Sequence, residues 1–202
     1  MIEGAQQVPR EDAGFRKQIA TEHLGRRRRS GVRESEDNRR EDEMSDEVEI
    51  TNHRAEATQN ESLIGMARTG ADAFGYKAEL RIDRGLAQLL RLRVSQLNNC
   101  TYCLNLHYEA ARDAGIPRAK IDTLTAWWET DLHSEAEQAA LRYAEALTRS
   151  PDTDADQAFQ RFHDGVAKHF DAEEILEIIG VVVNMNVWTR LKLAEGAKPG
   201  LD

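Results

Sequence analysis

Residues 90–107 read LRLRVSQLNNCTYCLNLH, and this stretch decides which fold the chain can adopt. Its first half belongs to residues 85–98, where leucine and valine recur at the three- and four-residue spacing of one helix face. Asn98 and Asn99 then predict a break, because asparagine tolerates left-handed backbone and caps a following helix. We expect the next helix to begin near Cys100.

The rest of the chain also follows helical spacing, beginning near residue 62. Pro117 is well placed to open a helix that runs through Trp128, and Ser134-Glu135-Ala136-Glu137 has the spacing of a capping box. Two further helices follow, the second of them capped by Asp171. Sustained strand-type alternation is absent from the sequence, so the pattern predicts an all-α fold.

Two of these helices carry more specific expectations. Residues 175–193 are apolar on nearly every side, so this helix must be central in the core or partly covered by a second subunit. We favour partial burial in an oligomer interface. In the helix over 85–98, we expect Arg91 and Arg93 to project away from the centre of the apolar face.

Residues 1–55 are predicted to be a disordered, charged extension, and residues 56–202 the helical domain. The extension has few large apolar residues, so it buries too little surface to offset its chain entropy. Its run Arg26–Arg29 suggests a nucleic-acid or membrane contact, but acidic residues follow closely. Met44 is itself a plausible protein start, which would make residues 1–43 an upstream segment.

Charge and cysteine content restrict the classes of partner and compartment. The net charge is −9 and the sequence pI about 5.2, which argues against nucleic acid and anionic membranes as partners. The sequence has no apolar run of membrane-spanning length. Its two cysteines are too few for a secreted disulfide framework. We therefore expect a cytoplasmic protein whose partner is a small molecule or another protein.

Three side chains within residues 90–107 indicate thiol chemistry. On a helix, Cys100, Cys103 and His107 follow each other at three- and four-residue intervals and share one face. A helix N-terminus stabilises a thiolate, an imidazole can hold its proton, and a second thiol can trap an oxidised sulfur as a disulfide. This pattern predicts a thiol oxidoreductase.

Two other interpretations of these residues stay open. Free cysteines are among the most buried residue types, so both could be inert core residues in a helical binding protein. A zinc site would need further ligands, which His133, His163 or His169 could supply in space. We expect no metal and no cofactor.

With its cysteines and histidine, the stretch 90–107 resembles the core motif of the carboxymuconolactone decarboxylase and AhpD-like alkylhydroperoxidase family. Trp127-Trp128, the helix start at Ser134 and the segment 184–191 extend the resemblance over roughly residues 60–195. It implies an all-α fold that forms homo-oligomers, commonly trimers or hexamers. It also implies a peroxidase rather than a decarboxylase, since the decarboxylase branch lacks the cysteine pair.

The resemblance assigns a role to each residue of the site. Cys103 would attack a hydroperoxide, Cys100 would form a disulfide with it, and a dithiol donor would reduce the pair again. His107 would relay a proton, and Gln88 stands where related proteins often have a glutamate. Glutamine can hold a water or an imidazole but is no base, so we expect slow peroxide turnover or general disulfide reduction.

The sequence also supports expectations about the roles of the two sulfurs and the positions of the tryptophans. The helix dipole favours Cys100 as the stabilised thiolate, whereas the resemblance makes Cys103 the attacking sulfur; we follow the resemblance for the peroxide step and expect Cys100 to be the more exposed thiol. Trp127, Trp128 and Trp188 could line a substrate pocket, although aromatic residues at helical spacing are more often part of the core.

Overall fold

The computed structural model describes residues 54–149 and 155–200, and every regular element in those ranges is helical. The prediction of an all-α fold is therefore confirmed. The predicted disordered extension lies almost wholly outside the described residues. The α-helices are α1 (Glu61–Phe74), α2 (Arg84–Leu97), α3 (Thr101–Asp113), α4 (Arg118–Asp122), α5 (Glu135–Arg149), α6 (Ala155–Val166) and α7 (Ala172–Glu195), with short 3-10 helices at Ala57–Gln59 and Leu124–Glu129.

Helix α2 is the centre of the described fold. It packs against α3, α5 and α7, while α1 lies along α7 and α6 along α5. Every residue of α2 from Leu86 to Leu97 is buried except Gln96, which is half-buried. The largest fully buried side chains of the core include Leu89, Leu90, Leu92, Ile121, Leu124, Trp127, Leu141 and Ile178.

The expectation that Arg91 and Arg93 project away from the apolar face is wrong. Arg91 is only 2% exposed and Arg93 only 7%. Arg93 forms an ion pair with Glu145 of α5, with 2.7 Å between its Nε and the carboxylate. Arg91 donates from one terminal nitrogen to the carbonyls of Phe74 and Gly75, at 2.9 Å each. A guanidinium is favourable there, because the C-terminal carbonyls of α1 are unpaired and partly negative.

The break between α2 and α3 falls where the sequence predicted it. Asn98 is the C-cap of α2, and Asn99 has a left-handed backbone with φ of 51°. The N-cap of α3 is Cys100 rather than an asparagine, and its sulfur accepts a hydrogen bond from the backbone of Cys103. The turn therefore presents both cysteines at the start of α3.

The single helix predicted from Pro117 through Trp128 is instead two short elements. Pro117 is the N-cap of α4, as expected, but Ala126 inside the following 3-10 helix has non-helical φ and ψ of −130° and 37°. The indole nitrogen of Trp127 donates to Glu145 at 2.7 Å. This long-range hydrogen bond favours an irregular backbone that buries one tryptophan and exposes the next.

The predicted starts of α5 and α7 are confirmed. Ser134 and Glu137 form a reciprocal capping box, and Asp171 forms another with Glu174. Helix α7 ends at Gly196, which has a left-handed φ of 67°. Within the described ranges, no helix combines the length and apolar character needed to cross a membrane.

Candidate functional site

Cys100 and Cys103 form a disulfide at the N-terminus of α3, with 5.3 Å between their Cα atoms. The backbone nitrogen of Cys103 donates to the sulfur of Cys100 at 3.3 Å. The two residues are 1% and 3% exposed, respectively. The expectation that Cys100 is the more exposed thiol is therefore wrong for this oxidised state, because both sulfurs are covered by surrounding helices.

The turn before the disulfide is fixed by side chains of α7 and α5. The amide of Asn98 donates to the side chain of Asn186 at 3.0 Å, and Arg190 donates to the side-chain oxygens of both. Arg149 of α5 donates to the carbonyl of Leu97 at 3.0 Å. These bonds connect the turn to two other helices and so restrict the position of the cysteine pair.

A cavity of about 310 Å³ lies on the Cys103 side of the disulfide. Cys103 and His107 both line it, as the helical spacing of α3 suggested. Its other walls come mainly from α1, α2 and α7, and they are mostly apolar. The remaining lining residues are Ala71, Gly75, Tyr76, Arg91, Tyr102, Leu106, Asn184, Met185, Trp188 and Lys192.

His107 is a neutral imidazole at physiological pH. It is 5% exposed, and its Nδ1 has no hydrogen-bond partner in the described protein. Burial, with a smaller contribution from the positive charge of Arg91, lowers the pKa of His107 to about 4. A neutral imidazole can accept a proton from a thiol that shares its cavity.

Gln88 lies in the buried part of α2, 1% exposed, and does not line the cavity that contains His107. Its side-chain oxygen has no hydrogen-bond partner. No hydrogen bond therefore joins Oε1 of Gln88 to Nδ1 of His107. The described structure contains no cluster of three potential metal ligands, so His133, His163 and His169 do not complete a zinc site with the cysteines.

A second cavity, of about 630 Å³, adjoins Cys100. Cys100 and Thr101 line it, together with the segment that follows α7. It is more polar at its rim, where Arg54, Lys192 and Lys198 contribute. The two cysteines thus line different cavities.

Of the three tryptophans, only Trp188 lines the apolar cavity. Trp127 is 2% exposed in the core, and Trp128 is 52% exposed on the surface. Sequence reasoning did not find Arg91, Asn184 or Lys192 at this cavity. The signal available in the sequence for Arg91 was a charged residue between Leu90 and Leu92, within the apolar segment of α2.

Comparison with known proteins identifies the family of the chain. Residues 65–146 match the profile of the Carboxymuconolactone decarboxylase family. The chain is 33% identical to the uncharacterized protein YdfG of Bacillus subtilis over 122 residues, which is 60% of this chain and 80% of YdfG.

Solved structures share the fold. One is a protein of unknown function from Agrobacterium tumefaciens that has been related to the antioxidant defence protein AhpD; it is 22% identical, with a TM-score of 0.65 over 74% of this chain and 99% of its own. Another is the debrominase Bmp8 in complex with 2,3,4-tribromopyrrole, 20% identical, with a TM-score of 0.56 over 69% of this chain and 70% of its own. The chain belongs to the carboxymuconolactone decarboxylase family, with the helical fold of its AhpD-like members.

Proposed function

We propose that this chain is a thiol-dependent oxidoreductase that reduces hydroperoxides through Cys100 and Cys103. The observation that carries the proposal is that Cys103 and His107 line the same cavity. Cys103 is also part of a disulfide at the N-terminus of α3. A sulfur that loses a proton there is next to unpaired backbone N–H groups and a neutral imidazole. The helix N-terminus favours the thiolate, and the neutral imidazole offers an acceptor for the proton in transit rather than a positive charge.

The reaction would proceed in two balanced steps. The Cys103 thiolate attacks the terminal oxygen of the hydroperoxide, the O–O bond breaks, and the alkoxide takes a proton to leave as an alcohol. Cys103 is then a sulfenic acid. Cys100 attacks its sulfur, a disulfide forms, and water leaves. The hydroperoxide gains the two electrons that the thiol pair loses, and His107 relays the protons.

The second cavity supports a route for the reductant. A dithiol donor that enters beside Thr101 would reach Cys100 without displacing a substrate from the apolar cavity. Its first thiolate attacks Cys100 and releases Cys103, and its second thiol then releases Cys100 while the donor becomes a disulfide. Dithiol donors of this kind fit the cytoplasmic location that the cysteine content favours.

Gln88 bears on the rate rather than on the type of chemistry. A glutamate at this position could act as a base in a proton relay, whereas glutamine cannot. General base assistance typically contributes about 10²–10⁴ in rate, so we expect a slow peroxidase or a disulfide reductase.

The outer face of α7 supports assembly into a homo-oligomer, for which we propose a trimer or hexamer. Leu176 and Val183 lie seven residues apart on this helix and are 63% and 53% exposed. Large apolar side chains spaced along one helix face are typical of a covered surface. Light scattering on the wild type and on the variant Leu176→Glu/Val183→Glu tests this; an unchanged mass would contradict it.

The test of function is consumption of cumene hydroperoxide by the pre-reduced protein with dithiothreitol as donor. Cys103→Ser should abolish turnover. Once the dithiothreitol is removed, Cys100→Ser should retain one turnover and leave a sulfenic acid at Cys103 that dimedone traps. Unaltered turnover in Cys103→Ser would contradict the proposal.

The burial of both sulfurs favours a second candidate, a helical binding protein with inert cysteines. After reduction, slow labelling of both thiols in the native protein and fast labelling after denaturation would select it. A carboxymuconolactone decarboxylase-like activity is less compatible with the cysteine pair.

A further inference from the structure

Two buried arginines of α2 differ in how their charge is compensated. Arg93 has a carboxylate partner in Glu145, at 2.7 Å. Arg91, two residues earlier, contacts only the carbonyls of Phe74 and Gly75, and it has no carboxylate partner in the described structure. Its Nε has no hydrogen-bond partner at all.

A buried guanidinium without a counter-ion is unusual, because an unpaired charge is expensive to remove from water. Burial lowers the pKa of Arg91 to about 10, which still leaves it protonated at neutral pH. The two carbonyl dipoles offset only part of the cost, since they carry partial charges. A positive charge therefore persists at this position.

Arg91 lines the apolar cavity beside Cys103, and it is not the only unsatisfied group there. Nδ1 of His107 and Oδ1 of Asn184 are also buried without a hydrogen-bond partner, and both residues line the same cavity. Buried polar atoms in proteins are nearly always paired, so three unpaired ones on residues that line one cavity make this wall unusual. Nε of Arg91, Nδ1 of His107 and Oδ1 of Asn184 are themselves sealed from the cavity. The contact with a ligand therefore falls to the terminal nitrogens of Arg91, of which only one is bonded to the Phe74 and Gly75 carbonyls.

The other lining residues of the cavity indicate that the rest of the ligand is apolar. Leu106, Met185 and Trp188 offer apolar contacts, and the volume of about 310 Å³ is near the lower limit for ligand pockets. The net charge of the chain is −9, so the protein as a whole repels anions. Any preference for an anion must therefore arise locally.

We propose that this cavity binds a small apolar molecule through a carboxylate, with Arg91 as the anchor and the apolar body against Met185 and Trp188. Any reaction of the bound molecule rests on the proposed function, and the hydroperoxide substrate would then be a hydroperoxy acid. Its binding step stands independently of any turnover.

The test is calorimetric binding of octanoate and octanamide to the disulfide form at pH 7.5. These probes differ in charge but little in shape, and Cys103 carries no charge in this form. Octanoate should bind at least about tenfold more tightly, since a charge-assisted hydrogen bond is roughly twice as strong as a neutral one. Equal binding, or tighter binding of octanamide, would overturn the inference.

Two variants that remove the same charge locate the anchor. Arg91→Met should lose the preference for octanoate, whereas Arg112→Met, on the exposed side of α3, should keep it. Lys192 also lines the cavity but is paired with Glu195 at 2.9 Å. Loss of the preference in Lys192→Met and not in Arg91→Met would overturn the assignment. If Arg91→Met does not fold, the comparison in the wild type decides alone.

Failure of this inference is distinguishable from failure of the proposed function. Peroxidase activity that depends on Cys103, without a preference for octanoate, would remove only the ligand class. A preference for octanoate that depends on Arg91, in a protein without peroxidase activity, would leave the carboxylate site and remove only the redox role.

Discussion

The sulfur of Cys100 caps α3 by accepting a hydrogen bond from the backbone nitrogen of Cys103, 3.3 Å away. The same two residues are joined by the disulfide. The side chain of Cys100 thus has two roles. It accepts a hydrogen bond from one of the unpaired N–H groups at the start of α3, and it carries one of the two sulfurs proposed to be redox-active.

The capping role predicts a difference between two variants that both lack the disulfide. Cys100→Ser should be about 1 kcal/mol more stable than Cys100→Ala, because a serine hydroxyl accepts the same backbone hydrogen bond and alanine cannot. Urea denaturation of both variants measures the difference. Equal stability would mean that the cap contributes nothing.

Gly180 is predicted to be required where α7 meets α1. A Cβ at this position would overlap the ring of Phe74, so Gly180→Ala should lower the free energy of unfolding by about 1–3 kcal/mol. Gly65→Ala is the matched control, since a Cβ there meets nothing within 4 Å. It should raise stability by about 0.5–1 kcal/mol through helix propensity. A loss at Gly65 as large as at Gly180 would contradict the packing explanation.

The lowered pKa of His107 predicts a dependence of stability on pH. Between pH about 6.5 and about 4 the unfolded chain binds a proton at this residue that the folded chain does not. Stability is therefore present above pH 6.5 and is lost as the pH falls toward 4. Between pH 7.5 and 5, wild type should lose about 2 kcal/mol more than His107→Gln.

Urea denaturation of the two proteins at each pH checks this difference. Comparing them is necessary because burial also lowers the pKa of His133, which gives a contribution of the same sign in both. Parallel losses in wild type and His107→Gln would show that His107 titrates normally.

Gln88→Glu should raise the rate of peroxide reduction if a missing carboxylate limits it, by at least about tenfold. It should also lower stability, because the position is 1% exposed and an ionised carboxylate is costly to bury. Stopped-flow reduction of cumene hydroperoxide and urea denaturation measure the two effects. A destabilised variant with no gain in rate would mean that another group already supplies the base.

Features that depend on neighbouring residues could be predicted from the sequence. The break at Asn98-Asn99 and the capping boxes at Ser134 and Asp171 all arise from side chains that bond to backbone within a few positions. The helical spacing of Cys103 and His107 likewise predicted that both would lie on one helix face, and both line one cavity.

Features that depend on distant partners could not be predicted. Arg93 is buried because Glu145 lies 52 positions away in sequence but beside it in space. Arg91 is buried because α1 ends against it. The interruption near Trp127 follows from a hydrogen bond to the same Glu145. Helical periodicity contains no information about such pairings, so α2 looked like a one-sided helix although it is the centre of the core.

The cavity shows the same limit, since Asn184, Met185 and Trp188 lie at least 81 positions after the cysteines in sequence. A motif within 90–107 could identify the reactive groups. It could not identify the wall opposite them.

The most direct test of the central claim is the thiol content of the reduced protein before and after one equivalent of cumene hydroperoxide, with mass spectrometry to locate any bond formed. We expect loss of both thiols and a Cys100–Cys103 disulfide, with no such loss in Cys103→Ser. Two thiols that survive the peroxide unchanged would contradict it.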